Sequence, residues 1–112
     1  MDSTAINYQV IIQQLFNNYI EFLGETEELQ LESIFDREHD RYLLVEVGWQ
    51  NGRRIYGALL HIDIINDKLW IQQDGTEEGI ASELVALGIP KQKIVLAFKP
   101  IERRKITEYA VS

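Results

Sequence analysis

The sequence RYLLVEVGWQNGRRIYGALLHIDIINDKLWIQ, at residues 41–72, contains two dipeptides that favour tight turns between β-strands. Asn51-Gly52 is the stronger signal, because both central residues of a type I′ hairpin turn need a positive φ angle. A two-residue turn at this position determines which residues face each other across the hairpin. The predicted pairs are Leu43 with Leu60, Val45 with Ala58, Val47 with Tyr56 and Trp49 with Arg54.

Asn66-Asp67 predicts a second turn of the same length. It places Ile64 opposite Leu69 and Ile62 opposite Ile71. Because side chains alternate between the two faces of a strand, both turns put their apolar pairs on the same face of the sheet. We therefore expect an antiparallel meander with one buried apolar face.

The residues before the meander predict a helix. Residues 5–23 carry apolar side chains at steps of three and four, ending with Phe22 and Leu23, and residues 2–4 (Asp-Ser-Thr) contain candidate caps. Gly24 is the stop signal. Apolar residues extend beyond one helical face, which predicts either deep burial or a second face in contact with another chain, as in a homo-oligomer.

The residues after the meander predict a second helix. Asp74 and Glu77 have the spacing of a capping box, and Thr76 is a competing cap. Gly88 stands where a left-handed helix end is expected, and Ile89 can supply the apolar contact that follows it. Asp74, Thr76 and Glu77 could also form a binding loop, but a helix start is the favoured interpretation.

Two further strands complete the predicted fold. Residues 29–36 have the pattern of a strand before the meander, and residues 94–98 are apolar at every position, which is typical of a strand covered on both faces. We expect an α+β fold in which an N-terminal helix and a second helix cover one face of an antiparallel meander, with a further C-terminal strand. The length of 112 residues predicts a single domain over residues 1–112.

The composition is that of a globular protein, with 46% hydrophobic and 26% charged residues. The absence of cysteine excludes disulfides and thiolate metal sites. The amino terminus lacks the basic stretch and apolar run of a signal peptide, and no apolar run is long enough to span a bilayer. We therefore expect a soluble, cytoplasmic protein without a membrane partner.

The net charge of −7 is unevenly distributed. Residues 1–40 contain nine acids and one base, whereas residues 91–112 contain two acids and six bases. An acidic body repels phosphate, so no direct sequence-specific DNA binding is expected. The acidity favours either a basic protein partner or solubility alone, and the basic run at residues 103–105 is a solvated tail, a partner contact or a nucleic-acid contact.

The face of the meander opposite the apolar pairs carries the candidate chemistry. The predicted register places His61 between Tyr42 and Gln72, and Asp63 opposite Trp70. A histidine near carboxylates could bind a metal or move a proton. A hydrolytic zinc site needs three protein ligands, however, and the two histidines of the chain lie on different elements. A polar contact of His61 and Asp63 at the sheet rim is the favoured interpretation, and we predict no catalytic residue, metal ligand or cofactor.

The aromatic residues of the meander are candidate binding residues. Trp49 could stack on the guanidinium of Arg54. Tyr42, Trp49, Tyr56 and Trp70 match a stacking platform in number only, because cross-strand aromatics usually pack the sheet.

Motifs in one collinear order cover about two thirds of the chain. They are Asp36, Asp40, Tyr42, Gly48-Trp49, Asn51-Gly52-Arg53-Arg54, Tyr56-Gly57, His61-Ile62-Asp63-Ile64, Lys68, Trp70-Ile71-Gln72, Asp74-Gly75-Thr76-Glu77-Glu78-Gly79-Ile80, Leu84, Gly88, Pro90 and Ile94-Val95-Leu96. In these residues the chain resembles the XisI-like family, the fdxN-element excision controlling factors. The family often has glycine at the positions of Asp67 and Ala97.

This resemblance implies a factor that is needed, with a nuclease-like companion protein, for programmed excision of a DNA element by a separate site-specific recombinase in cyanobacteria. It implies no catalytic residue. We expect a non-enzymatic binding module whose acidic residues, such as Glu25, Glu27 and Glu28, face a basic surface of the companion. The alternative is a small hydrolase or metal-binding protein centred on His61 and Asp63. A weaker alternative is DNA contact through residues 91–105.

Overall fold

The computed structural model describes residues 7–24 and 28–112. The elements in these residues follow the order α1 (Tyr8–Leu23), β1 (Leu29–Asp36), β2 (Arg41–Gln50), β3 (Arg53–Ile65), β4 (Lys68–Asp74), α2 (Ala81–Ala86), a 3₁₀ turn (Lys91–Lys93), β5 (Ile94–Leu96) and α3 (Ile101–Arg104). The predicted α+β class is confirmed.

The strands form one sheet in the order β1-β2-β3-β4-β5, with β5 parallel to β4 and the other neighbours antiparallel. Both predicted turns are present, because Asn51, Gly52, Asn66 and Asp67 all have positive φ angles between 52° and 78°. The structure also confirms the pairs nearest the turns, such as Val47 with Tyr56 and Ile62 with Ile71.

A β-bulge in β3 changes the register of the first hairpin away from its turn. Leu44 pairs with Leu60 and Val45 pairs with Ala58, so Leu59 is an extra residue in β3. The predicted pair of Leu43 with Leu60 is therefore wrong. A turn dictates the register only up to the first bulge, where two residues of one strand oppose one residue of the other.

The bulge also moves the two hairpins' apolar pairs to different faces. Leu60 and Ile62 are fully buried beneath the helices, whereas Tyr56, before the bulge, is 73% exposed. The prediction that both turns share one apolar face is wrong for this reason. Val47, Trp49 and Tyr56 lie on the sheet face away from α1 and α2.

A second bulge lies in β4. His61 pairs with Gln73 and Ile62 pairs with Ile71, which leaves Gln72 as the extra residue. The predicted pair of His61 with Gln72 is therefore wrong.

Helix α1 begins one turn later than predicted. The side chain of Asn7 accepts a 3.2 Å hydrogen bond from the backbone N–H of Val10 and is the N-cap. Residues 2–4, which contain the predicted caps, lie outside the described residues. Gly24 ends the helix with a positive φ angle, as expected. Buried side chains at Tyr8, Ile12, Leu15 and Phe16 form the face against the sheet.

Helix α2 begins at Ala81, not within residues 74–77. The predicted capping box is wrong, because the carboxylate of Asp74 holds a loop that precedes the helix. The end of the helix matches the prediction: Gly88 has a φ angle of 112°, and the N–H of Ile89 donates a 3.0 Å bond to the carbonyl of Leu84. This is the hydrogen bond of a left-handed helix terminus, and Ile89 is buried after it.

The C-terminal segment covers the free side of β5. Ile94, Val95 and Leu96 are buried, but the strand is shorter than residues 94–98 because the chain turns at Ala97. Val95 forms a bridge with Ala110, whose N–H donates to the carbonyl of Ile94 at 2.9 Å. The described residues contain no helix that is long and apolar enough to cross a membrane.

Candidate functional site

The predicted histidine and aspartate form a polar cluster on the sheet face away from the helices. His61 and Asp63 stand two positions apart on β3, so their side chains share a face. The His61 Nε2 atom lies 2.8 Å from Asp63 Oδ1, and Gln72 Nε2 donates to Asp63 Oδ2 at 3.3 Å. Arg41 lies directly across from Asp63 on β2, with its Nε atom 3.9 Å from Oδ1.

The surroundings of Asp63 give its carboxylate a structural role. Its side chain is 13% exposed, and both carboxylate oxygens have partners on β2, β3 or β4. In residues 7–24 and 28–112, no group of three or more histidine, cysteine or acidic side chains could hold a metal ion. The cluster joins three strands at the sheet face, and it lacks the ligand number of a hydrolytic zinc site.

Tyr42 does not belong to this cluster. It pairs with Ile62 and is fully buried on the helix side, where its ring contacts Phe35 edge to face with the centroids 5.1 Å apart. Its hydroxyl donates to Asp40 Oδ1 at 2.9 Å. Burial, followed by the bond to Asp40, raises the pKa of Tyr42. The predicted pair of Tyr42 with His61 is wrong, because the extra residue Leu59 in β3 shifts the pairing so that Tyr42 lies opposite Ile62.

Trp49, Arg54 and Tyr56 come together near the tip of the β2–β3 hairpin. The guanidinium of Arg54 lies 5.5 Å from the ring centre of Trp49 and 5.9 Å from that of Tyr56. Its Nη1 atom also donates to the carbonyl of Gly48 at 3.4 Å. The predicted stacking of Trp49 on Arg54 is confirmed, and the structure adds Tyr56 as a second aromatic partner.

These side chains form one edge of an exposed apolar surface. Trp49 is 52% exposed, Val47 is half-buried beside it, and Ile34 on β1 is exposed on the same sheet face. We call Ile34, Val47, Trp49, Arg54 and Tyr56 the aromatic face. The sequence predicts that Tyr56 lies beside Trp49 and Arg54, but it places these residues on the buried face, whereas the bulge leaves them on the exposed one.

Trp70 lies outside the aromatic face. It pairs with Asp63, as predicted, and the guanidinium of Arg104 covers its ring at 5.8 Å. Arg104 also donates to the carbonyls of Ala97, Lys99 and Val111 at 2.8–3.3 Å. This arginine of the basic run therefore anchors the C-terminal segment. The four aromatics do not form a single stacking platform.

Asp74 and Thr76 fold the loop between β4 and α2. Asp74 Oδ2 accepts from the N–H of Ile80 at 2.8 Å, while Oδ1 accepts from the N–H and hydroxyl of Thr76. The Thr76 hydroxyl oxygen accepts in turn from the N–H of Gly79 at 3.1 Å. Glu77, the third predicted member, is exposed at the tip of the loop.

An open cleft of about 620 Å³ lies between this loop and the C-terminal end of α1. Apolar side chains and two acids line it, and we call Tyr19, Phe22, Leu23, Leu59, Glu77 and Glu78 the acidic cleft. Phe22 is 83% exposed. The sequence places Phe22 and Leu23 on the buried stripe of the helix, which is wrong, because Leu59 of β3 lines the same cleft but leaves both side chains largely exposed. The apolar stripe beyond one face is the signal that could have indicated this surface.

Comparisons with known proteins show what the chain is similar to. The family model described as XisI protein matches residues 1–111. The crystal structure of a XisI-like protein from Anabaena variabilis is 35% identical, with a TM-score of 0.85 over 94% of this chain and 96% of that one. The crystal structure of the fdxN element excision controlling factor XisI from the same organism is 30% identical, with a TM-score of 0.79 and the same coverage. No curated protein matches the chain significantly.

Proposed function

The chain belongs to the XisI protein family, and we propose that it is a non-enzymatic accessory factor in programmed excision of a DNA element. It acts by binding a nuclease-like companion protein. One of the similar structures is named an excision controlling factor, and this name supports a role in excision of a DNA element. The resemblance of the motifs to the XisI-like family supports a nuclease-like protein as the companion.

The aromatic face is the observation that carries the protein-binding role. The few residues that dominate the binding energy of protein interfaces are enriched in tryptophan, tyrosine and arginine, and here Arg54 contacts both Trp49 and Tyr56 on an exposed surface. Stacking holds the three side chains in place before a partner arrives, which reduces the entropy lost on binding.

The charge of the chain supports a basic protein as the partner. With nine acids and one base in residues 1–40, the molecule repels phosphate and attracts a positive surface. Such charges at the rim of an interface accelerate association more than they strengthen the final complex. Glu28 is exposed just before β1, whereas Glu25 and Glu27 lie outside the described residues.

Co-purification tests this function. The tagged chain is co-expressed with the protein encoded next to it, and the complex is isolated at low salt. We expect the wild-type chain to retain the companion. A chain with Trp49→Ala and Tyr56→Ala should bind it at least about tenfold more weakly, since loss of an interface anchor often costs that much.

Ile106→Ala is the control for this pair. Ile106 is also a large exposed apolar side chain, but it follows α3 and lines neither the aromatic face nor the acidic cleft. The control should bind as the wild type does. A companion that fails to bind the wild-type chain contradicts the proposed function, and equal binding by the double variant shows that the contact lies outside the aromatic face.

A further inference from the structure

The acidic cleft combines exposed apolar side chains with a floor that the fold holds in place. Phe22 and Leu23 project from the last turn of α1 and are both exposed, while Leu59 and Tyr19 are half-buried beneath them. Large apolar side chains that remain exposed together mark binding surfaces more often than solitary ones do. The cleft is about 620 Å³ in volume, which is enough for one large side chain and its neighbours.

The walls of the cleft are formed before any partner binds. The Tyr19 hydroxyl donates to Glu83 Oε1 at 2.9 Å and joins α1 to α2. On the other side, the N–H of Gly75 donates to the carbonyl of Leu59 at 2.8 Å. The bonds of Asp74 and Thr76 hold the loop that carries the two acids. A side chain that enters the cleft therefore meets fixed surfaces.

The rim of the cleft carries negative charge only. Glu77 and Glu78 are exposed on the loop, and Glu83 stands beside them on α2. Neither Glu77 nor Glu78 forms an ion pair with a residue in the described part of the chain. No lysine or arginine within residues 7–24 and 28–112 lines the cleft. An apolar floor with this rim is complementary to an apolar side chain flanked by positive charges.

We propose that the acidic cleft binds a segment of a partner protein in which one large apolar side chain is flanked by lysine or arginine. The apolar side chain packs between Phe22 and Leu59, and the flanking cations lie against Glu77 and Glu78. This rests on the proposed function, because it names a docking site for a basic companion protein. The acidic cleft lies on the helix side of the sheet and the aromatic face on the other side, so the cleft is a second, separate docking site.

Selection of peptides tests the cleft independently of the companion. A phage-displayed library of random 12-residue peptides is selected against the immobilised wild-type chain at low salt. We expect the recovered peptides to contain a large apolar residue with at least two lysine or arginine residues near it. The selected peptides are then synthesised, and their affinities are measured by isothermal titration calorimetry.

Two variants and two matched controls locate the binding site. Phe22→Ala should weaken the selected peptides by about tenfold or more, because it removes the apolar wall. Glu77→Lys with Glu78→Lys should weaken them to a similar extent and abolish most of the salt dependence. Val10→Ala changes an exposed apolar residue at the other end of α1, and Glu102→Lys changes an exposed acid on α3. Both controls should leave the affinity unchanged.

The outcomes separate this inference from the proposed function. A library that returns no binders, binders without the basic pattern, or binders indifferent to Phe22→Ala overturns the cleft as a docking site. In that case the companion can still co-purify, and the function stands. Basic peptides that need Phe22 support the cleft even if the companion fails to bind, in which case only the proposed function falls.

Discussion

The backbone N–H of Trp49 donates a 2.7 Å hydrogen bond to the carbonyl oxygen of Glu28. This bond attaches the start of β1 to the hairpin that carries the aromatic face. Glu28 stands five residues after Leu23, so the chain limits the distance between the aromatic face and the end of α1 to roughly 18 Å at this point. The end of α1 therefore lies within this distance of the strand that carries Trp49, with the acidic cleft and the aromatic face on opposite sides of the sheet.

Gly48 is required for this attachment. Its φ angle is 153°, and a Cβ atom at this position would lie 1.9 Å from the carbonyl oxygen of Glu28. Gly48→Ala should therefore force the start of β1 away from β2 and lower the free energy of unfolding by about 1–3 kcal/mol. Urea denaturation measures the change.

Gly57→Ala is the control for this substitution. Gly57 also lies within the β2–β3 hairpin, but a Cβ atom added there would meet no atom of residues 7–24 and 28–112 within 4 Å beyond its chain neighbours, and its φ angle is not positive. The control should be as stable as the wild type or slightly more stable, since alanine restricts the unfolded chain. Equal stability of the two variants contradicts the close contact between Gly48 and Glu28.

His61→Ala tests the structural role of the His61–Asp63 cluster. Removing the imidazole takes away one partner of Asp63 but leaves Gln72 and Arg41 near its carboxylate. We expect a loss of about 0.5–1.5 kcal/mol in the free energy of unfolding. We also expect no change in the metal content measured by mass spectrometry. Stoichiometric metal in the wild type that disappears in His61→Ala or Asp63→Ala would favour the alternative of a metal-binding protein.

The ionisation of Tyr19 reports on the wall of the acidic cleft. Burial, with a smaller contribution from the bond to Glu83, raises the pKa of Tyr19 from 10.0 to about 12. The protonated hydroxyl is the form that the fold favours, so its stabilisation is complete below pH 10 and is lost as the pH rises towards 12. Ultraviolet absorbance of the tyrosinate measures this titration.

Tyr19→Phe should remove the component of the absorbance change near pH 12 and leave the other tyrosines unaffected. Tyr56→Phe is the comparison variant, because Tyr56 is exposed on the other sheet face. If Tyr19→Phe removes a component near pH 10 instead, the tyrosine is not held against Glu83.

The lone chain should bind duplex DNA only non-specifically. Its charge of −7 opposes the phosphate backbone, and non-specific complexes usually dissociate with constants near 10⁻⁴–10⁻⁶ M at physiological salt. Fluorescence anisotropy with a labelled duplex gives the constant. A value below about 10⁻⁷ M contradicts the expectation that this chain binds DNA only non-specifically.

The turn dipeptides predict most of the sheet, but they do not predict the bulges. Asn51-Gly52 gives the correct pairs from Trp49 to Val45, and Asn66-Asp67 gives those from Ile64 to Ile62. Leu59 and Leu60 are both apolar, so the hydrophobic pattern of β3 is equally compatible with either one facing the core. No glycine or proline stands at the extra residue. The change of face follows from tertiary packing that the local pattern does not contain.

The candidate binding surfaces, like the sheet, can be predicted only in part from the sequence. Trp49 and Arg54 stand on either side of a short turn, and their contact can be predicted from the hairpin alone. The acidic cleft cannot, because it depends on how the bulged residue Leu59 packs beneath the end of α1 and on how Asp74 folds the next loop. Phe22 continues the helical pattern without a break, and only the fold shows that it remains 83% exposed beside Leu59.

The proposed association of the chain with a companion protein is tested most directly by surface plasmon resonance with the adjacent-gene product immobilised. We expect the wild-type chain to bind at low salt, with an association rate that falls as salt rises and a dissociation rate that changes little. Trp49→Ala with Tyr56→Ala should instead accelerate dissociation, while Ile106→Ala leaves both rates unchanged. If the wild-type chain gives no binding at low salt, the protein-binding function is contradicted.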